Sequence, residues 1–167
     1  FTVLIRNIDF TRARYLTAMA AVASAEGIEE VFGSKAEIKW VNDIYIDGKK
    51  CVGILTESVT NMELNEIDYA VVGIGINVRE PEGGFPEEIK NIAGACITAA
   101  KGNAAEDAFN KVVAAVYTSL KKLYTNFDKA RLNAEYVRRS YLDGKRVTVL
   151  TSGDEEYPAT VKGIDED

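Results

Sequence analysis

Hydrophobic and polar positions alternate from Phe1 to Arg6 as in a strand, and this run begins without a preceding turn or cap. The period then changes. Leu16, Met19, Ala20 and Ala23 fall on one helical face, predicting a helix that Thr11 caps and that runs to about Val31. Strand patterns return over Ala36–Ile46 and Lys50–Ser58, joined by Asp47-Gly48, a strong signal for a two-residue hairpin. Asp68–Val78 reads as a further strand, and Pro81–Pro86 as a loop around Gly83-Gly84.

A second long helix is expected from Asn103, with Glu106 completing a capping box. Phe109, Val112, Val113, Val116, Tyr117, Leu120 and Tyr124 follow at helical spacing and are expected to pack on the sheet. A shorter helix is predicted over Lys129–Arg139, then short strands over Arg146–Leu150 and Tyr157–Gly163 around Ser152-Gly153-Asp154. Two or three short strands are not a stable unit alone. Residues 141–167 therefore read as the start of a small β domain cut by the chain end, after a main domain over 1–140.

With 167 residues, 47% hydrophobic and 28% charged, the chain can bury a core of ordinary globular composition. A net charge of −6 argues against an extended nucleic-acid surface. Cys51 and Cys96 lie far apart in apolar stretches, as small core residues of a reduced, cytoplasmic protein would. No apolar run is long enough for a membrane span. Histidine is absent, which removes His-based triads and the usual zinc sites. Chemistry here must run on lysine, carboxylates, backbone N–H groups or a bound hard cation.

Three segments carry candidate chemistry. In Lys39-Trp40-Val41-Asn42-Asp43, a cation, an amide and a carboxylate could hold a phosphate and its metal. A solvated lysine beside an Asx turn accounts for the same residues. In Lys50-Cys51-Val52-Gly53-Ile54-Leu55, Gly53 leaves a gap that suits close approach of a ligand or, equally, a bulge. In the run Val71–Val78, alternation puts Val72, Ile74, Ile76 and Val78 on one face. Gly73, Gly75 and Asn77 fall on the other, a bare surface suited to something flat.

The hairpin sets a constraint. Lys50 should pair with Tyr45, whereas Lys39 would lie roughly 20 Å from it along a straight strand. The two lysines can serve one ligand only if the chain bends near residues 40–43. A bulge is also needed to bring Gly53 to the face of Lys50.

The ordered set Lys39-Trp40-Val41-Asn42-Asp43, then Lys50-Cys51-Val52-Gly53-Ile54-Leu55-Thr56-Glu57, then Gly73-Ile74-Gly75-Ile76-Asn77 resembles the biotin–protein ligase family. The resemblance extends over nearly the whole chain. It implies an α+β fold: a mixed, largely antiparallel sheet with helices on one face, followed by a truncated small β-barrel segment. It also implies ATP-dependent activation of biotin to biotinyl-AMP, with transfer to a lysine of a biotin carboxyl carrier protein.

Carried over by position, the resemblance makes Lys50 and Lys39 the catalytic cations. Lys50, Gly53, Leu55, Gly73 and Ile76 become biotin contacts. Lys39, Asn42, Asp43 and Asn77 become nucleotide contacts, with Asp43 also on the Mg²⁺ side. Substrates would be ATP and biotin; the partner would be the carrier domain, and the resemblance also admits a homodimer.

Two departures stand out: Val41 occupies the place of the family's proline, and the Gly-Arg-Gly-Arg-type biotin loop has no counterpart. The chain as given is therefore expected to be a poor or inactive ligase alone, with an unpaired sheet edge that favours self-association. A lipoate–protein ligase and a non-catalytic biotin-sensing effector domain of a repressor are the competing readings.

Overall fold

A computed structural model describes residues 1–61, 66–97, 107–153 and 155–165. Its centre is a five-stranded antiparallel sheet in the order β1-β5-β4-β3-β2. The strands are β1 (Thr2–Ile8), β2 (Glu37–Lys39), β3 (Asp43–Ile46), β4 (Lys49–Asn61) and β5 (Glu66–Ile76). Helices α1 (Phe10–Ala13) and α2 (Leu16–Phe32) follow β1, while α3 (Ala108–Thr125) and α4 (Lys129–Arg138) follow β5. A separate two-stranded antiparallel sheet, β6 (Arg146–Leu150) with β7 (Glu156–Thr160), lies near the end. The α+β class and the helix-covered face are as expected. Among the described residues the second sheet closes no barrel.

The first helical segment is two helices. Asp9 caps α1 by accepting from the Arg12 N–H at 2.9 Å, and Thr11, the expected cap, lies within that helix. Helix α2 ends at Gly33, whose φ of 64° is the left-handed conformation that glycine adopts most readily. Leu16, Met19, Ala20 and Ala23 are buried as anticipated, but so are Ala21, Val22, Ala25 and Ile28. The reason is that α2 is covered on both sides, by the sheet and by α3. Helix α3 packs on α2, forming a third layer and correcting the expectation that it covers the sheet. Val112, Val116 and Leu120 are buried, whereas Phe109, Val113 and Tyr117 are exposed. The anticipated cap at Asn103 lies outside the described residues; Asp107 precedes the helix as described.

Ala36–Ile46, read as one strand, is two. The chain reverses at Trp40–Asn42, so that β2 and β3 pair with Lys39 opposite Asp43 and Glu37 opposite Tyr45. The Trp40–Val41 peptide is cis. Beyond β3, Asp47 (φ 51°) and Gly48 (φ 79°) form the tight turn into β4, with both residues in the left-handed region expected of it. Val72 and Ile74 point to α2 with Ile38, Ile44, Val52 and Ile54, all buried. Among the described residues no helix is long and apolar enough to cross a membrane, and both cysteines are buried.

Candidate active site

The face of the sheet opposite the helices carries the predicted residues, and pairing register puts them there. Lys39 is opposite Asp43, Asp43 opposite Gly53, Gly53 opposite Gly75, and Leu55 opposite Gly73. Directly paired side chains in an antiparallel sheet project to the same side. Lys50 joins them through a bulge. The register passes from Ile44 opposite Val52 to Tyr45 opposite Lys50, leaving Cys51 as the extra residue. The Lys50 side chain consequently runs beside Gly53, where an added Cβ would lie 3.7 Å from its Nζ.

The two lysines share this face. Lys50 Nζ is 2.6 Å from Asp43 Oδ1, and that aspartate side chain is 19% exposed. Lys39 Nζ donates to the Tyr45 hydroxyl at 3.5 Å and lies 5.4 Å from the centre of its ring. Tyr45 stacks on Tyr141 at 4.5 Å, and Lys145 sits 3.0 Å above Tyr141. An aromatic column thus links the face to the segment leading into the second sheet. Tyr45 was missed in the sequence, although its alternation with Asp43 placed a large ring on an otherwise polar face.

Lys50, Gly53, Gly75 and Asn77 line one open cleft of about 480 Å³, walled on its far side by Ile89 and Ile92. This falls within the range of small-ligand sites, roughly 300–1,000 Å³. The apolar wall is tied to the bulge: the Lys50 N–H donates to Ile92 O and the Gly94 N–H to Lys50 O, each at 2.8 Å. Leu55, 62% exposed, and Gly73 continue the same face beyond the cleft. Ile76 borders the cleft but packs against the core, on the side of Val72 and Ile74. Its side chain thus serves the core face as well as the cleft border.

The glycines have no reason within the fold to be glycine. Neither Gly53, Gly73 nor Gly75 has a positive φ, and their added Cβ atoms would meet nothing closer than 3.6 Å, 3.7 Å and 3.9 Å respectively. The nearest neighbours of the last two are backbone oxygens of β4, and beyond them is open space. Two of the amides have structural partners. Asn42 Nδ2 donates to Ile54 O at 2.8 Å, clamping the Trp40–Asn42 reversal to β4, and Asn77 Nδ2 donates to Gly94 O at 3.1 Å. Asp43 is a lone carboxylate committed to Lys50. Among the described residues no group of three or more Cys, Asp or Glu side chains could hold a metal. Among the described residues, then, no protein-built cage of three or more such side chains surrounds Asp43.

The antiparallel sheet thus carries helices on one face and a lysine-flanked, glycine-lined surface on the other. Comparisons with known proteins give this arrangement a context. Residues 2–77 match the biotin/lipoate A/B protein ligase family. Over 87 residues the chain is 47% identical to the bifunctional ligase/repressor BirA of Bacillus subtilis, covering 52% of this chain and 26% of that protein. Among solved structures, a variant of the Aquifex aeolicus biotin protein ligase in complex with biotin superposes with a TM-score of 0.76. That match has 26% identity and covers 99% of this chain and 66% of the other. The same ligase with biotin and ATP shares the fold, at a TM-score of 0.71 and 24% identity. The match to the family is thus confined to residues 2–77, while the fold of the Aquifex ligase extends over 99% of this chain. The chain spans about a quarter of the Bacillus relative's length and about two thirds of the Aquifex chain.

Proposed function

We propose that this chain supplies the sheet-borne part of the site at which a biotin–protein ligase makes biotinyl-AMP and passes the biotinyl group to a lysine of a biotin carboxyl carrier protein. One observation carries the reading: bare glycines, unexplained by the fold, lie on the same face as Lys50. A flat bicyclic ring laid against Gly73 and Gly75 would use the space that side chains would otherwise fill. Its carboxylate would then reach toward Lys50, with Leu55 and Ile92 as apolar borders.

The chemistry suits a chain without histidine. Biotin's carboxylate is ionised at neutral pH, so its oxygen attacks the α-phosphorus of ATP without a base. An O–P bond forms and pyrophosphate leaves. In the second step the carrier's lysine amine attacks the biotinyl carbonyl, an amide forms and AMP departs. Lys50 is the cation placed to hold the carboxylate and the α-phosphate together, and its pairing with Asp43 keeps it aimed before substrate arrives. Lys39, held by Tyr45, supplies a second positive charge for the phosphates. Asn42 acts by shaping the reversal between these groups, and Asn77 by holding Gly94 at the nucleotide side. Mg²⁺ would be carried by phosphate and water with Asp43 as at most a single ligand, and would supply further neutralisation of the phosphate charge.

On the same reading, 1–140 is the catalytic unit and 141–167 belongs to a small β unit, in a cytoplasmic protein. The Bacillus relative's repressor activity keeps a biotin-sensing role in view. Isothermal calorimetry with biotin and lipoate side by side tests the reading. Biotin is expected to bind and lipoate to bind at least about tenfold more weakly, a difference of about 1.4 kcal/mol. Equal binding, or none to either, would remove it.

A further inference from the structure

The reversal at Trp40–Asn42 joins the strands bearing Lys39 and Asp43, so its geometry sets where these two groups stand. Val41 lies at its centre. A proline there would fix φ covalently, whereas valine imposes no such lock. The restraint comes instead from the far side of the molecule. Tyr136, on α4, donates its hydroxyl proton to Val41 O at 2.9 Å, across 95 positions of sequence. Its ring is buried, 6% exposed. Burial raises its pKa to about 12, so the hydroxyl remains a donor throughout the working range.

The chain leaving α4 grips the same hairpin at two more points. The Ile38 N–H donates to Arg139 O at 2.7 Å, and the Tyr141 N–H donates to Ile38 O at 2.8 Å. Arg139 is in turn held between Glu29 of α2 and Glu135 of α4. Helix α4 is thereby fastened to α2, and the reversal to α4.

We propose that Tyr136 is a positioning residue for the phosphate side of the site, holding the Trp40–Asn42 reversal, and through it Lys39 and Asp43, by its hydrogen bond to the Val41 carbonyl. The proposal rests on the ligase reading for its consequence in nucleotide binding, but not for its structural half. Tyr136 touches no substrate. It acts through the backbone, and its effect should fall on ATP and spare biotin, because its hydrogen bond goes to the reversal and not to the strands of Gly53, Gly73 and Gly75.

Trp40 is the only tryptophan in the chain and is 63% exposed, so its fluorescence reports on this reversal directly. The test compares the full chain with Tyr136→Phe, which keeps the ring and removes the donor. Val112→Ala, a core truncation in α3, serves as a control for general destabilisation. Acrylamide quenching and anisotropy of Trp40 are measured without ligand, and ATP and biotin affinities by calorimetry. Tyr136→Phe is expected to increase Trp40 mobility and to weaken ATP by roughly three- to tenfold, the range a single hydrogen bond supplies, with biotin unchanged. Val112→Ala should lower the melting temperature and leave Trp40 as it was. Unchanged Trp40 signals in Tyr136→Phe, or equal changes in both variants, would overturn the proposal. If wild-type chain binds no ATP, the ligase reading fails, while the Trp40 comparison still decides whether Tyr136 holds the reversal.

Discussion

Lys50 and Asp43 form an ion pair at 2.6 Å although a tight turn and a strand bulge separate them. Without the bulge at Cys51, Lys50 would point to the face opposite Gly53, away from Asp43. The extra residue thus puts the cation beside the glycine gap. The pair is partly buried, so removing one partner leaves a charge with no near neighbour and with incomplete solvation.

Lys50→Met is expected to reduce biotinyl-AMP formation by about 10²–10³-fold in any form of the protein competent for the reaction, the usual cost of losing one charge-stabilising donor. Asp43→Asn should cost less, since it frees Lys50 without removing it. Rapid-quench measurement of adenylate checks both. Equal losses in the two variants would show that the ion pair, rather than the cation, is what matters.

Gly75→Val separates folding from binding. Its Cβ would meet nothing nearer than Gly53 O at 3.9 Å, and valine suits a strand better than glycine. Stability should hold or rise by up to about 1 kcal/mol, while biotin affinity falls at least about tenfold. Thermal melting and calorimetry on one sample give both numbers. A destabilised variant that still binds biotin would refute the account of this face.

Gly27→Ala should be destabilising despite alanine's better helix propensity. The new Cβ would lie 2.6 Å from Val116 Cγ2 and 2.8 Å from Val116 N, where α3 crosses α2. A clash with backbone cannot be relieved by a rotamer change, so a net loss of about 1–3 kcal/mol is expected in urea unfolding. Pairing it with Val116→Ala would relieve only the side-chain contact and recover part of that loss.

Acid should loosen the grip of α4. Hydrogen bonds from Arg139 and then Arg138 hold the Glu135 carboxyl below its ordinary value of 4.5. A carboxylate whose folded pKa is depressed contributes stability above its unfolded pKa and loses it as pH falls through the folded value. Stability should therefore decline as pH drops below about 4.5. Glu135→Gln should be less stable at neutral pH and show a shallower decline across that window. Urea titrations between pH 3 and pH 7 compare the slopes, and parallel curves would exclude Glu135 as a contributor.

Much of the architecture was legible because it rests on local signals. Asp47-Gly48 can form only a narrow set of turns, Val72–Ile74 alternates strictly, and Lys129–Arg138 shows one apolar face. The chemistry-bearing motifs were legible because residue order along the chain survives folding. What misled was context. Ala36–Ile46 has the composition of one strand, and its reversal is stabilised by partners remote in sequence, Ile54 O for Asn42 and Tyr136 for Val41. The even apolar spacing of α3 could not say whether its partner is a sheet or another helix, because both present a flat apolar surface.

By itself, then, the chain's sequence determined most of the elements, the side of β5 that is bare, and the need for a bend and a bulge if two lysines were to meet. Only the tertiary structure decided how: a complete reversal at Trp40–Asn42, a bulge at Cys51 and a tyrosine from α4 beneath Val41. The physical reason is that alternation and turn chemistry act over a few residues. The position of a charge relative to a sheet is set by hydrogen bonds that close across nearly a hundred, as Tyr136 does to Val41 over 95.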